Sequence, residues 1–276
     1  MYPWRRIVIP TDFSTAAEWS FDSAVQLAGS TGAELVILHV RSTRPSNPDE
    51  LRFPAGDSLY EYAEKHELEK LRDHARRRNA DVATRLVVQR APDAGAAICQ
   101  TAAEEHADLI VISTHARHHV AHLIIGSTTL SVLSGPPVPV LAIRYGIERR
   151  NGFGRILVPV HLNQHSTDAA ALAAAIAKRE KSEVHLIIVC ADGTRGPADA
   201  LIAEMTSDLF AGVNVKPIVL QGKDIDSELV RYARGADADA IFLNAAAHEI
   251  STRKQDIIRQ VDTPVMLVPP AAAPMS

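Results

Sequence analysis

Two stretches of the chain carry side chains that could do chemistry. The first is Pro10-Thr11-Asp12-Phe13-Ser14, which closes the apolar run beginning at Arg6. A carboxylate at Asp12, at the end of a central strand, can accept hydrogen bonds from sugar hydroxyls. The same carboxylate could instead cap the next helix or satisfy loop amides. The second stretch runs Ser113-Thr114-His115-Ala116-Arg117-His118-His119-Val120-Ala121-His122-Leu123-Ile124-Ile125-Gly126-Ser127-Thr128-Thr129. Gly126 lets backbone approach a ligand closely, and Ser127 and Thr128 open a helix whose first N–H groups have no partner within it. A helix start of this kind, with Arg117 and imidazoles nearby, is a ready anion site, although an ordinary Gly-Ser helix entry reads the same way. His115, His119 and His122 fall at i, i+4 and i+7, so a helix would align them as zinc could require. No cysteine or carboxylate joins them, and a solvated or phosphate-facing loop is the expectation, with no metal assigned.

Motifs of efficient turnover are missing beside these stretches. Neither a P-loop (G-x-x-x-x-G-K-[ST]) nor a Ser-Gly-Gly pyrophosphate loop follows the first apolar run. No carboxylate pair, and no catalytic lysine with Mg²⁺ ligands, is recognisable, so any ATP hydrolysis would be slow and incidental. The expectation is a protein that binds rather than catalyses.

The elements that must position these residues come in two sets. Arg6-Ile7-Val8-Ile9-Pro10 returns 149 residues later as Arg155-Ile156-Leu157-Val158-Pro159, and Glu34–Val40 returns at the same offset as Glu183–Val189. Ala107–Ile112 matches Ala238–Leu243 at offset 131, and Pro139-Val140-Leu141 matches Pro264-Val265-Met266 at offset 125. Strand-like segments persist while the connections shrink, as expected of a duplicated domain. The boundaries read as 1–146 and 152–276, joined by the polar, glycine-containing stretch Gly146–Gly154. In the first copy the expected strands are Arg6–Thr11, Glu34–Val40, Val82–Val88, Asp108–Ser113 and Val138–Ile143. They are continuous apolar runs, the mark of parallel strands covered on both faces. The first helix is expected to start with a capping box from Thr15 to Glu18. It should bury Ala17, Phe21, Ala24 and Ala28 and stop at Gly32. Such alternation gives an α/β fold whose ligands bind at the carboxyl ends of strands, where the winding reverses.

Composition limits the alternatives. The 276 residues are 46% hydrophobic and 22% charged with a net charge of -4, an ordinary balance for globular domains. The densest basic cluster, Arg76-Arg77-Arg78, falls at the end of an expected helix, where cations suit the dipole, so no nucleic-acid partner is expected. Cys99 and Cys190 lie in unlike contexts and read as small core residues in a reducing compartment. The apolar run at the N-terminus is too short for a signal peptide, and no stretch reaches the ~20 residues needed to cross a bilayer. A cytoplasmic protein without a membrane partner is the expectation.

The segments RIVIPTDFS, DLIVISTHA, GSTTLSVL and PVPVLAIR, in this order and spacing, resemble the universal stress protein family. The resemblance spans nearly the whole chain, twice over, and is clearest in the first copy. It implies two tandem flavodoxin-like (Rossmann-like) domains, each a five-stranded parallel sheet of order 3-2-1-4-5 with helices on both faces. It further implies a stress-response protein that senses ATP or AMP. The implied nucleotide site comprises Pro10, Thr11, Asp12, Val40, Ile112, Ser113, Ala116, Arg117, Gly126, Ser127 and Thr128. Asp12 would hold the nucleoside, main chain at Val40 would read the adenine, and Gly126, Ser127 and Thr128 would meet the phosphates. The family's phosphate motif is Gly, two residues, Gly, nine residues, then Gly with Ser or Thr. Its spacing is kept here, but Ser113 and Ala116 stand for the first two glycines. Where such a position needs φ > 0 or backbone contact with phosphate, a Cβ costs about 1–2 kcal/mol. In the second copy Asp12 becomes His161, and the loop reads Asn244-Ala245-Ala246-Ala247-His248-Glu249-Ile250, shorter and without glycine. Glu249 would set a negative charge where a phosphate would lie, so the second site reads as dead. The partners implied are the other copy, meeting it through the fifth strands as a pseudo-dimer, a second chain in a homodimer, and regulatory proteins of unspecified kind. The first alternative is an assembly or interaction module whose cleft binds nothing; a slow ATPase or nucleotidyl-transfer enzyme on a related sheet is the second, and it lacks the loops named above.

Overall fold

The computed structural model describes residues 2–43, 58–114, 125–146, 152–161, 167–190, 195–222, 224–245 and 251–270. The first unit runs β1 (Arg6–Thr11), α1 (Thr15–Thr31), β2 (Glu34–Ser42), α2 (Ser58–Arg78), β3 (Thr84–Ala91), α3 (Ala94–Glu104), β4 (Leu109–Ser113), α4 (Ser127–Ser134) and β5 (Val140–Ile143). The second runs β6 (Arg155–Val160), α5 (Asp168–Glu180), β7 (Glu183–Cys190), α6 (Arg195–Asp208), β8 (Asn214–Gln221), α7 (Ile225–Ala236), β9 (Ala240–Asn244), α8 (Thr252–Gln260) and β10 (Val265–Val268).

All ten strands form one sheet, in the order β3-β2-β1-β4-β5-β10-β9-β6-β7-β8. Each half has the expected 3-2-1-4-5 order with parallel neighbours. The halves join where β5 and β10 pair antiparallel, Val265 opposite Ala142, Met266 opposite Leu141 and Leu267 opposite Val140. Both strands are buried along their whole length. As free edges they would invite pairing with other chains, and their mutual pairing removes that exposure. The fifth strands therefore meet as expected, making a pseudo-dimer within one chain.

Helices cover both faces. One layer packs α1, α2, α5 and α6 against residues such as Ile7, Ile9, Ile156 and Val158. The other packs α3, α4, α7 and α8 against Val8, Ile110, Leu157 and Ile241. Alternate residues of a strand face opposite layers, which is why β1 and β6 are apolar without interruption. The outermost strands differ from that pattern. β3 and β8 are only half-buried, because a sheet edge has a neighbour on one side and incomplete helix cover. β3 also begins later than the expected Val82, which is buried just before the strand.

Helix α1 buries Ala17, Phe21, Ala24 and Ala28 and ends at Gly32 with φ 75, as its sequence requires. Its start differs from the expected box. Ser14, not Thr15, is the N-cap, and its hydroxyl accepts from Ala17 N. One residue's shift moves Glu18 beyond the position from which a side chain reaches back. The linking stretch is not wholly polar either. Phe153 is fully buried, edge-on to Trp4 of the first unit and to Phe242 of the second, each 5.9 Å away. Cys99 is half-buried in α3 and Cys190 is buried, both as free thiols. Burial first, and Asp93 second, push the Cys99 thiol up to about 11, which makes it a poor nucleophile. Arg76, Arg77 and Arg78 close α2, and Arg78 pairs with Asp22 of α1 at 3.1 Å.

Candidate nucleotide-binding cleft

The winding of the first unit reverses between β1 and β4, so the loops after these strands flank one crevice. Their pairing sets Ile7 opposite Leu109 and Val8 opposite Ile110. Continued along the strands, that register brings Asp12 level with Thr114, and so gathers Pro10, Thr11, Asp12, Ile112 and Ser113 at one mouth. The loop after β1 is folded on itself. Thr11 Oγ1 accepts from Phe13 N at 3.0 Å, and Asp12 Oδ1 accepts from Ser14 N at 3.1 Å. Asp12 thus serves the loop amides, one of the two roles open to it, and stays partly exposed. Phe13 turns the chain at φ 59, a left-handed conformation unusual for a bulky residue.

His39 of β2 holds that turn in place. Its ring stacks on Phe13 at 4.5 Å, and its Nδ1 lies 2.8 Å from Thr11 O. A carbonyl only accepts, so Nδ1 carries a proton. The other nitrogen is buried and sits 3.7 Å from Glu64 Oε2. Glu64, itself buried, accepts from Arg41 Nε at 3.0 Å and Nη2 at 2.9 Å. A histidine inside an otherwise apolar strand is the one sign of this network in the sequence.

Val40 follows His39. Glu34 N–H donates towards β1 to Arg5 O, whereas Leu35 and Thr43 N–H donate towards β3. That alternation turns the Val40 peptide groups towards β1, whose pairing with β2 ends at Thr11 opposite His39. Main chain at Val40 therefore stands at the rim of the crevice.

On the far side, Thr114 N donates to Ile143 O, Gly126 N donates to Thr114 O at 3.0 Å, and Thr129 Oγ1 donates to Ser113 O at 2.8 Å. These bonds fix the start of α4 against the end of β4. Gly126 is the N-cap at φ -62 and ψ 148, and no side chain caps the helix. Among the described residues no side chain takes its first amides, which carry the partial positive charge of the helix start. Ser113 is a regular β4 residue opposite Ile143, and it is not among the residues with positive φ. Its Cβ therefore costs no backbone strain. Ala116, Arg117 and the four histidines at 115, 118, 119 and 122 lie outside the described residues. Among the described residues no group of three or more metal-ligating side chains gathers.

The second unit closes the same features from within. Asn244, at the end of β9, accepts from Ala169 N in the first turn of α5 at 2.8 Å. Ser251 caps α8 by accepting from Lys254 N. His161 occupies the place of Asp12, while Glu249 lies outside the described residues. The role of Asn244 was not read from the sequence; an amide ending an apolar strand beside a helix start was its only sign.

Residues 3–144 match the sequence profile of the Universal stress protein family. A Staphylococcus aureus protein assigned to that family is 31% identical over 149 residues, which are 52% of this chain and 86% of the relative. A universal stress protein from Archaeoglobus fulgidus superposes over 96% of this chain and 98% of its own, with a TM-score of 0.75 and 20% identity. A Pseudomonas aeruginosa structure of the same description covers 97% of this chain and 94% of its own, with a TM-score of 0.67 and 17% identity. Identities this low establish the shared fold alone, but that fold extends through both units. On the profile and the fold together, the chain belongs to the universal stress protein family, as a member with two units in tandem.

Proposed function

We propose that the protein binds ATP or AMP in its first unit and acts as a stress-response regulator that senses the nucleotide without efficient turnover. One observation supports this most: among the described residues no side chain caps the start of α4, which Gly126 N and Thr129 Oγ1 tie to the end of β4 beside Asp12. Phosphate oxygens suit such a helix start, because N–H donors and the helix dipole act together. In this reading Gly126, Ser127 and Thr128 meet the phosphates and Asp12 takes the ribose hydroxyls. Main chain at Val40 faces the adenine, with Pro10, Thr11, Ile112 and Ser113 as walls. Ala116 and Arg117 belong to the proposal through sequence alone. The domains are taken as 1–146 and 152–276, and only the first is a nucleotide site, since Ser251 and Asn244 already serve the helix starts of the second.

Calorimetric titration with ATP and AMP should give one site per chain. Asp12→Ala should weaken binding, and His161→Ala should leave it unchanged. Two equivalent sites, or dependence on His161, would contradict the assignment. A second reading, an assembly module with an empty cleft, has one observation in its favour: Asp12 is already engaged by Ser14 N. Absence of binding for both nucleotides would select it.

A further inference from the structure

We propose that His39 is a positioning residue of the first-unit crevice: from β2 it holds the loop after β1 in the one turn that presents Asp12 to a nucleoside. This role rests on the nucleotide reading of that crevice and adds to it a residue that need not touch the ligand.

Phe13 is what makes the loop need holding. Among the described residues four non-glycine positions have positive φ. Lys181 and Asp237 are the C-caps of α5 and α7, and His106 directly follows the C-cap of α3. A left-handed residue ends helices in this way routinely. Phe13 instead stands between a strand and a helix, and its side chain is aromatic. A bulky L-residue stays in that region only where its surroundings over-determine it.

His39 supplies such surroundings on both sides of Asp12. Its Nδ1 donates to Thr11 O at 2.8 Å, one residue before Asp12, and its ring stacks on Phe13 at 4.5 Å, one residue after. The ring is itself fixed. It is buried, its Nε2 lies 3.7 Å from Glu64 Oε2, and two N–H groups of Arg41 hold that carboxylate. Released from this clamp, Phe13 would return to negative φ and turn the peptide unit next to Asp12. The bonds from Phe13 N to Thr11 Oγ1 and from Ser14 N to Asp12 Oδ1 would then part.

The second unit shows that the fold does without this histidine. Thr11 pairs with His39 in the first unit, and Val160 pairs with Ile188 at the same register in the second. Ile188 is fully buried, and β6 and β7 pair along their length as β1 and β2 do. A buried polar ring inside a strand is disfavoured unless its bonds serve a purpose. His39 gives way to Ile188 in the same unit in which Asp12 gives way to His161. The two replacements together assign His39 to the carboxylate and not to the sheet.

The full chain and its variants should be titrated calorimetrically with ATP and with adenosine. His39→Ile, which introduces the residue type of the second unit, should weaken both ligands by about tenfold and equally, since both carry the ribose that Asp12 takes. His39→Asn keeps an N–H donor near the place of Nδ1 and should recover part of that loss. In an Asp12→Ala chain, His39→Ile should change affinity little, because the carboxylate it positions is gone. Hydrogen exchange reads the loop without ligand: His39→Ile should speed exchange of the Phe13 and Ser14 amides and leave β6 and β7 protected as in the parent. The role is overturned if His39→Ile binds as the parent does, if its loss is confined to ATP, or if the loss persists undiminished in the Asp12→Ala chain. An Asn variant no better than the Ile variant, or unchanged exchange at the two amides, would overturn it as well. A parent that binds neither ligand would refute the nucleotide reading and this role with it. A parent and a His39→Ile chain that bind alike would refute the role of His39 alone.

Discussion

Gly126 offers the sharpest handle on where phosphates bind. Its φ of -62 and ψ of 148 are ordinary extended values, so the backbone does not require glycine here. Gly126→Asp would place a carboxylate at the N-cap, where it accepts from the open amides of α4. Filling an uncapped start should raise stability by a few tenths of a kcal/mol from the hydrogen bond and about 0.3–1 from the helix dipole. The same carboxylate would stand about 4 Å from a bound phosphate. That repulsion is about 1 kcal/mol at the dielectric of water and about 4 at an effective dielectric of 20. Affinity for ATP should therefore fall by between about fivefold and about a thousandfold while the urea midpoint rises. Gly126→Ala supplies a Cβ without an acceptor and separates crowding from charge. Calorimetry with ATP and urea unfolding on the three chains would decide the matter. If Gly126→Asp binds ATP as the parent does, the phosphates do not lie on α4 and the reasoning fails.

The degenerate glycines give a second test. Ser113→Gly with Ala116→Gly should tighten ATP more than adenosine, because only the phosphates pass these positions; equal gains would show them misplaced. Ser113 is a strand residue without positive φ, so its glycine should cost about 0.5–1 kcal/mol of stability in urea. Asn244→Ala should destabilise the protein by about 0.5–2 kcal/mol through loss of the Ala169 N bond, leaving ATP affinity as it was. The last concerns pH. Burial holds His185 below its ordinary value, and its neutral form fits, donating from Nε2 to Glu183 and accepting at Nδ1 from the Tyr232 hydroxyl. A depressed histidine stabilises fully above its unfolded value of about 6.5 and loses that contribution as pH falls below it. Urea midpoints should fall as pH drops from about 6.5, and His185→Gln should flatten that window; a parent and variant with parallel profiles would refute the assignment.

What the sequence disclosed, and what it hid, divides along the length of the strands. At their amino ends the repeat in the letters is a repeat in the contacts. Asp108 Oδ2 accepts from Arg5 and Arg6 N, and Asp239 Oδ2 accepts from Arg155 N. Arg6 Nε donates to Glu34 as Arg155 Nε does to Glu183. These side chains tie strand starts to one another, a requirement any 3-2-1-4-5 sheet must meet. The same residue types therefore recur at fixed offsets, and topology could be read from them. At the carboxyl ends the demand is set by a ligand or by its absence, and the two units diverge: Asp12 against His161, an open α4 against an α8 closed by Ser251. The roles of Asn244 and His39 are not legible in the sequence because their partners, Ala169 N and Thr11 O, are backbone groups distant along the chain. Spacing carries no trace of a side chain that bonds to remote main chain. The edge strands blur for a related reason. With cover on one side only, β3 and β8 lose the apolar run that marks β1 and β4, and their limits must be read from pairing. A duplicated fold thus preserves in sequence what both copies must do. The residues peculiar to one copy, such as Asp12 and Gly126, are where its function should be sought.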